Sequence, residues 1–584
     1  MPPSPKRWDI APQVPIRQRN RLSHLHPLIV QILYNRGVTD PQEADAFLNG
    51  RGRFHDPFRM KGMAEAVRRI RDAIRTREPV VVYGDFDADG VCATALLAHT
   101  LSALGARVSP YIPHRVDEGY GLNCEALDRI ASRGARLVIT VDCGIRSAME
   151  VAYAGRLGLD MIVTDHHSLG PQLPSALAVI NPKQPGDPYP FKDLAGVGIA
   201  FKLAQALLLA EQRDPIGPRP GTLRETELLD LVALGTVADI APLLGENRAL
   251  VQRGLAELNR PRRPGIQAML AEAGLPAGRV DATAIGFILG PRLNAAGRLS
   301  TAELSYELLM TQDELQALTL AGQLGQLNRE RQALTLQKLE VARQHIAARH
   351  KRMPPTPEGG RPPGRYLYLV ADPEFPPGIV GLVAGRLAEE LYRPALVAQL
   401  GPEETHGSAR SIPEFNITAA LDECRDLLLR HGGHAAAAGF TLSNQNLPAL
   451  ESRLEQIAAR ELAGQDLQPT LQIDAVVSLD ELDFAVYEFL QQLEPCGCGN
   501  PQPVLATLGL HLVSAQRVGA DSKHLRLKVR DPHSDVEWEG IAFRQADWFG
   551  NLPHRIDLAY SLEVNEYNGE RRLQLNVKDI RPAG

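Results

Sequence analysis

Asp85, Asp87 and Asp89 occupy alternate positions directly after the apolar run Val80-Val81-Val82-Tyr83-Gly84. Carboxylates this close repel and raise one another's pKa unless a cation sits among them. A divalent metal bound by hard oxygen ligands is the simplest such cation. The apolar run reads as a buried strand, so the spacing predicts a metal site at a strand's carboxyl end, where open α/β sheets place their ligands. Asp-x-Asp-x-Asp-Gly also opens a calcium-binding EF-hand loop. That loop needs Glu at its twelfth position, where this chain has Leu96, and a helix before it, where this chain has a β-like run.

Further groups stand in the same context. Asp142, in Asp142-Cys143-Gly144, closes the strand-like run Leu137–Val141, and Asp165-His166-His167 closes Met161–Thr164. Asp239 follows the apolar segment Leu228–Leu234. Singly, each has a plain structural reading: a helix cap for Asp165, a turn for Asp142, a backbone-satisfied carboxylate for Asp239. Taken in order, each at the end of a strand-like run, they are expected to meet on one edge of a parallel sheet. Carboxylate and imidazole suit Mn²⁺ or Mg²⁺ better than Zn²⁺, which favours thiolates. The set is too large for one ion. Two ions about 3.5–4 Å apart, bridged by one carboxylate, would use it and would suit phosphoryl chemistry.

The elements that must position these groups alternate as strand and helix. Val80–Tyr83, Leu137–Val141, Met161–Thr164 and Ala178–Asn181 read as strands, Ala93–Leu104 as a helix, and 64–77 as an amphipathic helix with a basic face. This rhythm implies a mostly parallel sheet. A long helical stretch runs from about 311 to 350, interrupted at Gly322 and Gly325, and a Pro/Gly-rich linker follows over 353–364. A second α/β unit begins at Tyr366. From about Pro469 the pattern turns mostly β, ending in a hairpin with Asn568-Gly569 at its turn. The expected spans are a lead over 1–45, a first α/β domain over 46–310, the helix and linker over 311–365, a second α/β domain over 366–465 and a β domain over 466–584.

The chain has 584 residues, too many for one core, with 44% hydrophobic and 23% charged residues. A net charge of −6 argues against a protein that coats nucleic acid by charge alone and leaves a local basic groove open. The six cysteines are mostly scattered, and no apolar leader opens the chain. The most apolar stretch, Leu228 to Leu244, is broken by Asp230 and Asp239. A cytoplasmic protein without a membrane span is expected. No Gly-Lys-Ser/Thr occurs, so ATP-driven movement is not expected.

The ordered set Asp-x-Asp, Asp-Cys-Gly, Asp-His-His and a later Asp resembles the DHH phosphoesterase superfamily. Gly432-Gly433-His434-Ala435-Ala436-Ala437-Ala438-Gly439 resembles the Gly-Gly-His motif of the associated DHHA1 domain. Leu493-Glu494-Pro495-Cys496-Gly497-Cys498-Gly499-Asn500-Pro501-Gln502-Pro503, the lead around Arg7-Trp8 and Gly290 to Arg298 resemble the RecJ family, over essentially the whole chain. The resemblance implies a DHH parallel-sheet domain and a DHHA1 α/β domain joined by a long helix, with a C-terminal OB-like β-barrel. It implies a single-strand-specific 5′→3′ exonuclease that releases mononucleotides in DNA repair and recombination. Single-strand binding protein and a RecQ-type helicase are the implied partners of a monomer. The alternative is a small-substrate DHH phosphodiesterase, which would have no need of the β domain. Where Cys496 and Cys498 stand, related chains usually carry an aromatic and a polar residue. A glycine turn and a thiol metal site are the two readings of that pair.

By the same resemblance, Asp142 bridges two ions, Asp89, His166 and Asp239 complete one site, and Asp87 serves the other. Asp85 stands where many relatives have a histidine ligand. His167 faces the substrate phosphate as a general acid, and Asp165 orients the histidines. Arg115, Arg298, Asn294, Ser408 and Arg410 match residues that hold a terminal 5′-phosphate, for which arginine is suited by its bidentate fork. His434 is either a strand contact or a structural histidine. Arg526, Lys528 and Arg530 alternate along one strand-like run and share a face. Trp538, Phe543 and Tyr567 are either base-stacking platforms or core aromatics.

Overall fold

The structure, a computed structural model, describes residues 6–50, 52, 54–115, 117–216, 223–351, 365–534, 536–567 and 570–583. The expected linker over 353–364 and the Asn568-Gly569 turn lie outside the described residues, as does the side chain of Tyr567. Among the described residues no helix is long and apolar enough to cross a membrane. Contacts divide the chain into two units. The smaller comprises 1–54, 242–253 and 468–584 and contains the first strand, β1 (Arg7–Ile10). The larger comprises 55–241 and 254–467.

The larger unit opens with a five-stranded, all-parallel sheet. Its strands are β2 (Pro79–Tyr83), β3 (Arg107–Tyr111), β4 (Leu137–Val141), β5 (Asp160–Thr164) and β6 (Ala178–Ile180), in the order β3-β2-β4-β5-β6. The central strands are runs of valine, isoleucine and threonine buried along their length, as a sheet covered on both faces requires. Sequence reading does not anticipate β3, because its Arg-Val-Ser-Pro-Tyr is largely exposed at the sheet's edge, where proline is tolerated.

The helix Ala88–Ala103 begins five residues before the expected Ala93, because the Asp87 carboxylate caps it by accepting from the amides of Asp89 and Gly90 at 3.0 and 3.1 Å. The apolar segment before Asp239 is a helix, Leu229–Ala238, and not a strand-like run. It is buried nearly all round, so it shows no helical stripe, and periodicity cannot separate such a segment from a buried strand. The helices Gly196–Arg213 and Leu229–Ala238 pack against Ala88–Ala103.

The helix Glu314–Lys351 runs unbroken through Gly322 and Gly325. Gly325 makes room for the Glu272 carboxylate, which binds Arg292 and Arg329 at 2.7 Å each. The second sheet of this unit contains β7 (Tyr368–Asp372), β8 (Ala395–Leu400), β9 (Glu404–Arg410), β10 (Arg430–His434) and β11 (Ala437–Ser443). Its order is β10-β11-β9-β8-β7, parallel only between β7 and β8.

In the smaller unit β1 pairs in parallel with β12 (Thr470–Ile473). A six-stranded sheet follows: β13 (Ala475–Val476), β14 (Leu505–Val518), β15 (His524–Arg530), β16 (Glu537–Ala542), β17 (Arg555–Tyr567) and β18 (Glu570–Pro582), ordered β13-β14-β15-β16-β18-β17. Because β17 also pairs with β14, strands β14 to β18 close into an OB-type barrel. The contact grouping divides the span 46–310, placing 46–54 and 242–253 with 1–45 in the smaller unit. Residues of Pro27–Asn35 and Pro41–Leu48, among them Ile32, Leu33 and Phe47, share one buried cluster with Leu479, Leu493, Leu505 and Ile556.

Candidate active site

Every strand of the parallel sheet delivers a polar group at its carboxyl end: Asp85 after β2, Arg115 after β3, Asp142 after β4, Asp165-His166-His167 after β5 and Asn181 after β6. Three sets of side chains bring a ligand atom each to within 4.8 Å of one another: Asp85, Asp87 and Asp142; Asp89, His166 and Asp239; Asp142, His166 and His167. Asp142 and His166 each belong to two sets. His166 Nε2 lies 3.1 Å from Asp142 Oδ1, and His166 Nδ1 lies 3.8 Å from Asp239 Oδ2. Asp239 reaches this edge from the C-terminal end of its helix rather than from a strand end.

The sequence folds locally to support this crowding. Asp142 adopts φ +62°, a conformation non-glycine residues rarely take and one that recurs at functional sites. The Asp89 carboxylate accepts from the amides of Gly196 and Val197 at 2.7 and 2.9 Å, at the start of the helix Gly196–Arg213. A Cβ on Gly196 would lie 2.5 Å from Asp142 Oδ1, and one on Gly235 would lie 2.7 Å from Asp89 Oδ1. The two glycines let helices approach within contact of the carboxylates. Sequence reading missed both, although the glycines of Gly196-Val197-Gly198 at a helix start were a visible signal.

Burial and mutual repulsion push the carboxyls of Asp85 and Asp142 well above the usual range, that of Asp89 up to about 7 and that of Asp239 up to about 9. Burial and the neighbouring His167 push His166 down to about 3. Among the described residues Asp85 Oδ1, Asp142 Oδ1 and His166 Nε2 are buried and make no aligned hydrogen bond, although the last two lie 3.1 Å apart. Buried polar atoms are rarely left so. These orphaned acceptors, in a nest of carboxylates that repel one another, fit divalent cations, with oxygen and imidazole donors suited to Mn²⁺ or Mg²⁺.

Asp165 differs from the others. Both its oxygens are committed, accepting from the Ile145 amide at 2.9 Å, the His167 amide at 3.0 Å and His167 Nδ1 at 2.7 Å. Although buried, its carboxyl is held below the usual range by these bonds. Burial lowers His167, but the bond to Asp165 together with the charges of Asp165, Asp85 and Asp87 holds the imidazole above its ordinary value. Asp165 therefore orients His167 and makes no bond to the His166 ring. With Nδ1 engaged, Nε2 is the nitrogen of His167 left to meet a substrate. The Tyr120 hydroxyl lies 3.2 Å from His167 Nδ1. Lys183 Nζ donates to the His166 carbonyl at 2.7 Å and Asn181 Nδ2 to the His167 carbonyl at 3.0 Å, so one turn pins both histidines. Tyr120, Asn181 and Lys183 lack any sequence spacing that marks them.

A cavity of about 450 Å³ opens beside His167, lined by Tyr120, Arg146, Ser147 and Asp165 from the first α/β part and by Gly433 and His434 from the second. His434 is exposed at the tip of the β10–β11 hairpin, and burial with the nearby His167, Arg146 and Lys183 lowers its pKa. The arginines gather nearby. Burial and the like charges of Arg115, Arg331 and Arg410 push Arg298 down to about 9, and burial with Arg115 lowers Arg410. Burial also lowers Arg115, against the pull of Asp85 and Asp87. Arg410 Nη1 donates to Ser408 Oγ at 2.8 Å, and both side chains lie against Gly381. Asn294 Oδ1 accepts from the Ala88 amide at 2.9 Å, so that atom fastens the start of the Ala88–Ala103 helix. Among the described residues Arg298 and Arg410 make no ion pair, while Arg115 faces Asp85 and Asp87, so the three guanidiniums form a basic cluster beside the carboxylates.

On the barrel, Arg526, Lys528 and Arg530 alternate with buried Leu525, Leu527 and Val529 along β15. Lys528 and Arg530 both pair with Glu537 at 2.6 Å, which spends much of their charge internally. Trp538 is a core residue, whereas Phe543 is 51% exposed. Gly497 and Asn500 exchange backbone hydrogen bonds at 2.7 and 3.1 Å, so Cys496-Gly497-Cys498 forms a tight turn.

Three family models match this chain: the DHH family N-terminal domain over 79–236, the DHHA1 domain over 364–460 and the RecJ OB domain over 473–579. The single-stranded-DNA-specific exonuclease RecJ of Bacillus subtilis is 39% identical over 582 residues, 99% of this chain and 71% of the relative. The crystal structure of RecJ in complex with Mn²⁺ from Thermus thermophilus superposes with a TM-score of 0.82 at 31% identity, covering 99% of this chain and 80% of that one. Its complex with Mg²⁺ gives 0.77 at 30% identity, covering 99% and 79%.

Proposed function

The chain belongs to the RecJ family, and from that premise we propose that it is a metal-dependent exonuclease specific for single-stranded DNA, degrading it 5′→3′ to mononucleotides in DNA repair and recombination. The observation that carries the reading is the set of carboxylates and His166 gathered on one sheet edge with buried, orphaned acceptor atoms. Asp85, Asp87, Asp89, Asp142, His166 and Asp239 would hold two Mn²⁺ or Mg²⁺ ions, Asp142 being shared between them. When bound, such ions neutralise a phosphodiester and lower the pKa of a coordinated water.

The chain's own residues do the rest. Arg115, Arg298, Ser408 and Arg410 hold the terminal 5′-phosphate, whose extra charge distinguishes an end from an internal diester. His167, fixed through Nδ1 by Asp165, presents Nε2 to the leaving 3′-oxygen and supplies a proton there. Water adds to the phosphorus as the bond to that oxygen breaks, which frees a 5′-mononucleotide with a 3′-hydroxyl and leaves a new 5′-phosphate on the strand. Gly433 and His434 lie across the cavity from His167, and we place the strand between them. We further propose that the enzyme acts as a cytoplasmic monomer with single-strand binding protein and a RecQ-type helicase as partners, a reading that rests on family membership.

Digestion of single-stranded and duplex DNA with Mn²⁺ tests this reading. Degradation of the single strand alone, abolished by chelation and by Asp142→Ala, is expected. Equal attack on duplex, or cleavage confined to dinucleotides, would overturn it.

A further inference from the structure

Phe86 separates the carboxylates of Asp85 and Asp87, and its ring is 7% exposed. The guanidinium carbon of Arg115 sits 4.1 Å above the centroid of that ring. Tyr120 meets the same ring edge-on at 6.4 Å. Among the described residues Arg115 Nε is buried with no hydrogen-bond partner, and the ring below and the charges of Asp85 and Asp87 act on the guanidinium. The backbone beneath is equally constrained. A Cβ on Gly297 would lie 2.5 Å from the Phe86 carbonyl oxygen, and Asn294 Oδ1 accepts from the Ala88 amide at 2.9 Å. Both residues lie on the helix Gly290–Leu299, and the residue after Gly297 is Arg298, whose Nη1 donates to the Gly378 carbonyl at 3.1 Å. One short segment thus bears two carboxylates of the metal centre on its flanks and an arginine of the phosphate receptor on its ring.

We propose that Phe86 is a positioning residue for end recognition: its ring sets the Arg115 guanidinium at a fixed offset from the Asp85 and Asp87 carboxylates, so that a strand end seated on the arginines presents its first phosphodiester to the metal centre. This rests on the phosphate receptor of the proposed function. An aliphatic side chain of similar bulk fills the same space without the ring's negative face and leaves the guanidinium free to rotate. Tyrosine keeps that face.

The test compares kcat/KM on single strands bearing a 5′-phosphate or a 5′-hydroxyl for the unmodified enzyme, Phe86→Leu, Phe86→Tyr, Arg115→Ala and the Phe86→Leu/Arg115→Ala pair. The unmodified enzyme prefers the phosphate. In Phe86→Leu that preference drops about tenfold, chiefly through KM, and Phe86→Tyr restores it. The double variant discriminates no worse than Arg115→Ala alone. Phe86→Met gives the same reading should the leucine variant fail to fold. Mn²⁺ affinity by calorimetry separates a plain supporting role: weakened metal binding with the end preference intact would overturn the proposal. An unmodified enzyme without end preference would instead overturn the phosphate receptor, and the proposal with it.

Discussion

His167 and its partner Asp165 illustrate how one hydrogen bond assigns two roles. The bond fixes which ring nitrogen faces outward and raises the imidazole's pKa, so the protonated form persists to higher pH. A group that must donate a proton loses activity as pH rises through its pKa. Asp165→Asn should therefore lower kcat about 10–100-fold and move the descending limb of the rate–pH profile to lower pH. An unmoved limb would remove His167 from the acid role. The carboxylates around it carry the opposite lesson. Asp89 and Asp239 are pushed up to about 7 and about 9, so their protonated forms fit the fold and their ionised forms strain it. Stability from this source is full below the ordinary carboxylate range and is lost as pH rises through the raised values. The chelated protein should lose melting temperature from about pH 4 to about pH 9, and Mn²⁺ should add back more at the upper end. Calorimetry at several pH values with and without chelator checks both signs.

At the scale of elements, the parallel sheet turns distant residues into neighbours. That convergence was legible in the sequence wherever an apolar run ended in a carboxylate, as at Asp85, Asp142 and Asp165. Asp239 was assigned to that edge as well, but its carrier was misread, because a helix buried all round shows no stripe, and β3, whose residues are exposed at an edge, was not anticipated. The long helix was legible, but Gly322 and Gly325 read as interruptions, and only packing against Glu272 reveals why Gly325 is there. Gly196 at a helix start and Gly235 inside a helix were missed as well. Gly196→Ala makes a sharp test, since alanine ordinarily favours a helix. Here the added methyl meets Asp142, 2.5 Å away at its nearest oxygen, so the substitution should destabilise by about 1–3 kcal/mol and reduce Mn²⁺ affinity. Denaturant unfolding and metal titration would show it. A neutral or stabilising effect would contradict the close approach.

At the scale of the whole molecule, the chain enters the smaller unit three times, and Arg248 fastens those passes together. Its guanidinium, 3% exposed, donates to the carbonyls of Phe47, Gln492, Leu493, Glu494 and Pro495 and stacks 3.9 Å over the Phe47 ring. Sequence reading could follow the order of domains but not this cross-connection, since nothing local marks an arginine whose partners lie about 200 and 245 positions away. Removing it takes a charged donor from five carbonyls, of which Leu493 and Pro495 keep Asn500 and Glu494 keeps Gln252, so Arg248→Ala should cost on the order of 1–3 kcal/mol. Trp8, Trp538 and Trp548 all belong to this unit, so tryptophan fluorescence during denaturant unfolding reports its loss directly. The central claim is that the enzyme takes a single strand from its 5′ end, one nucleotide at a time. Single-stranded DNA labelled at either end and digested with Mn²⁺ tests it most directly. A 5′ label released at once as mononucleotide, with the 3′ label remaining on shortening strands, is the predicted result. Early release of the 3′ label, or internal fragments, would contradict it.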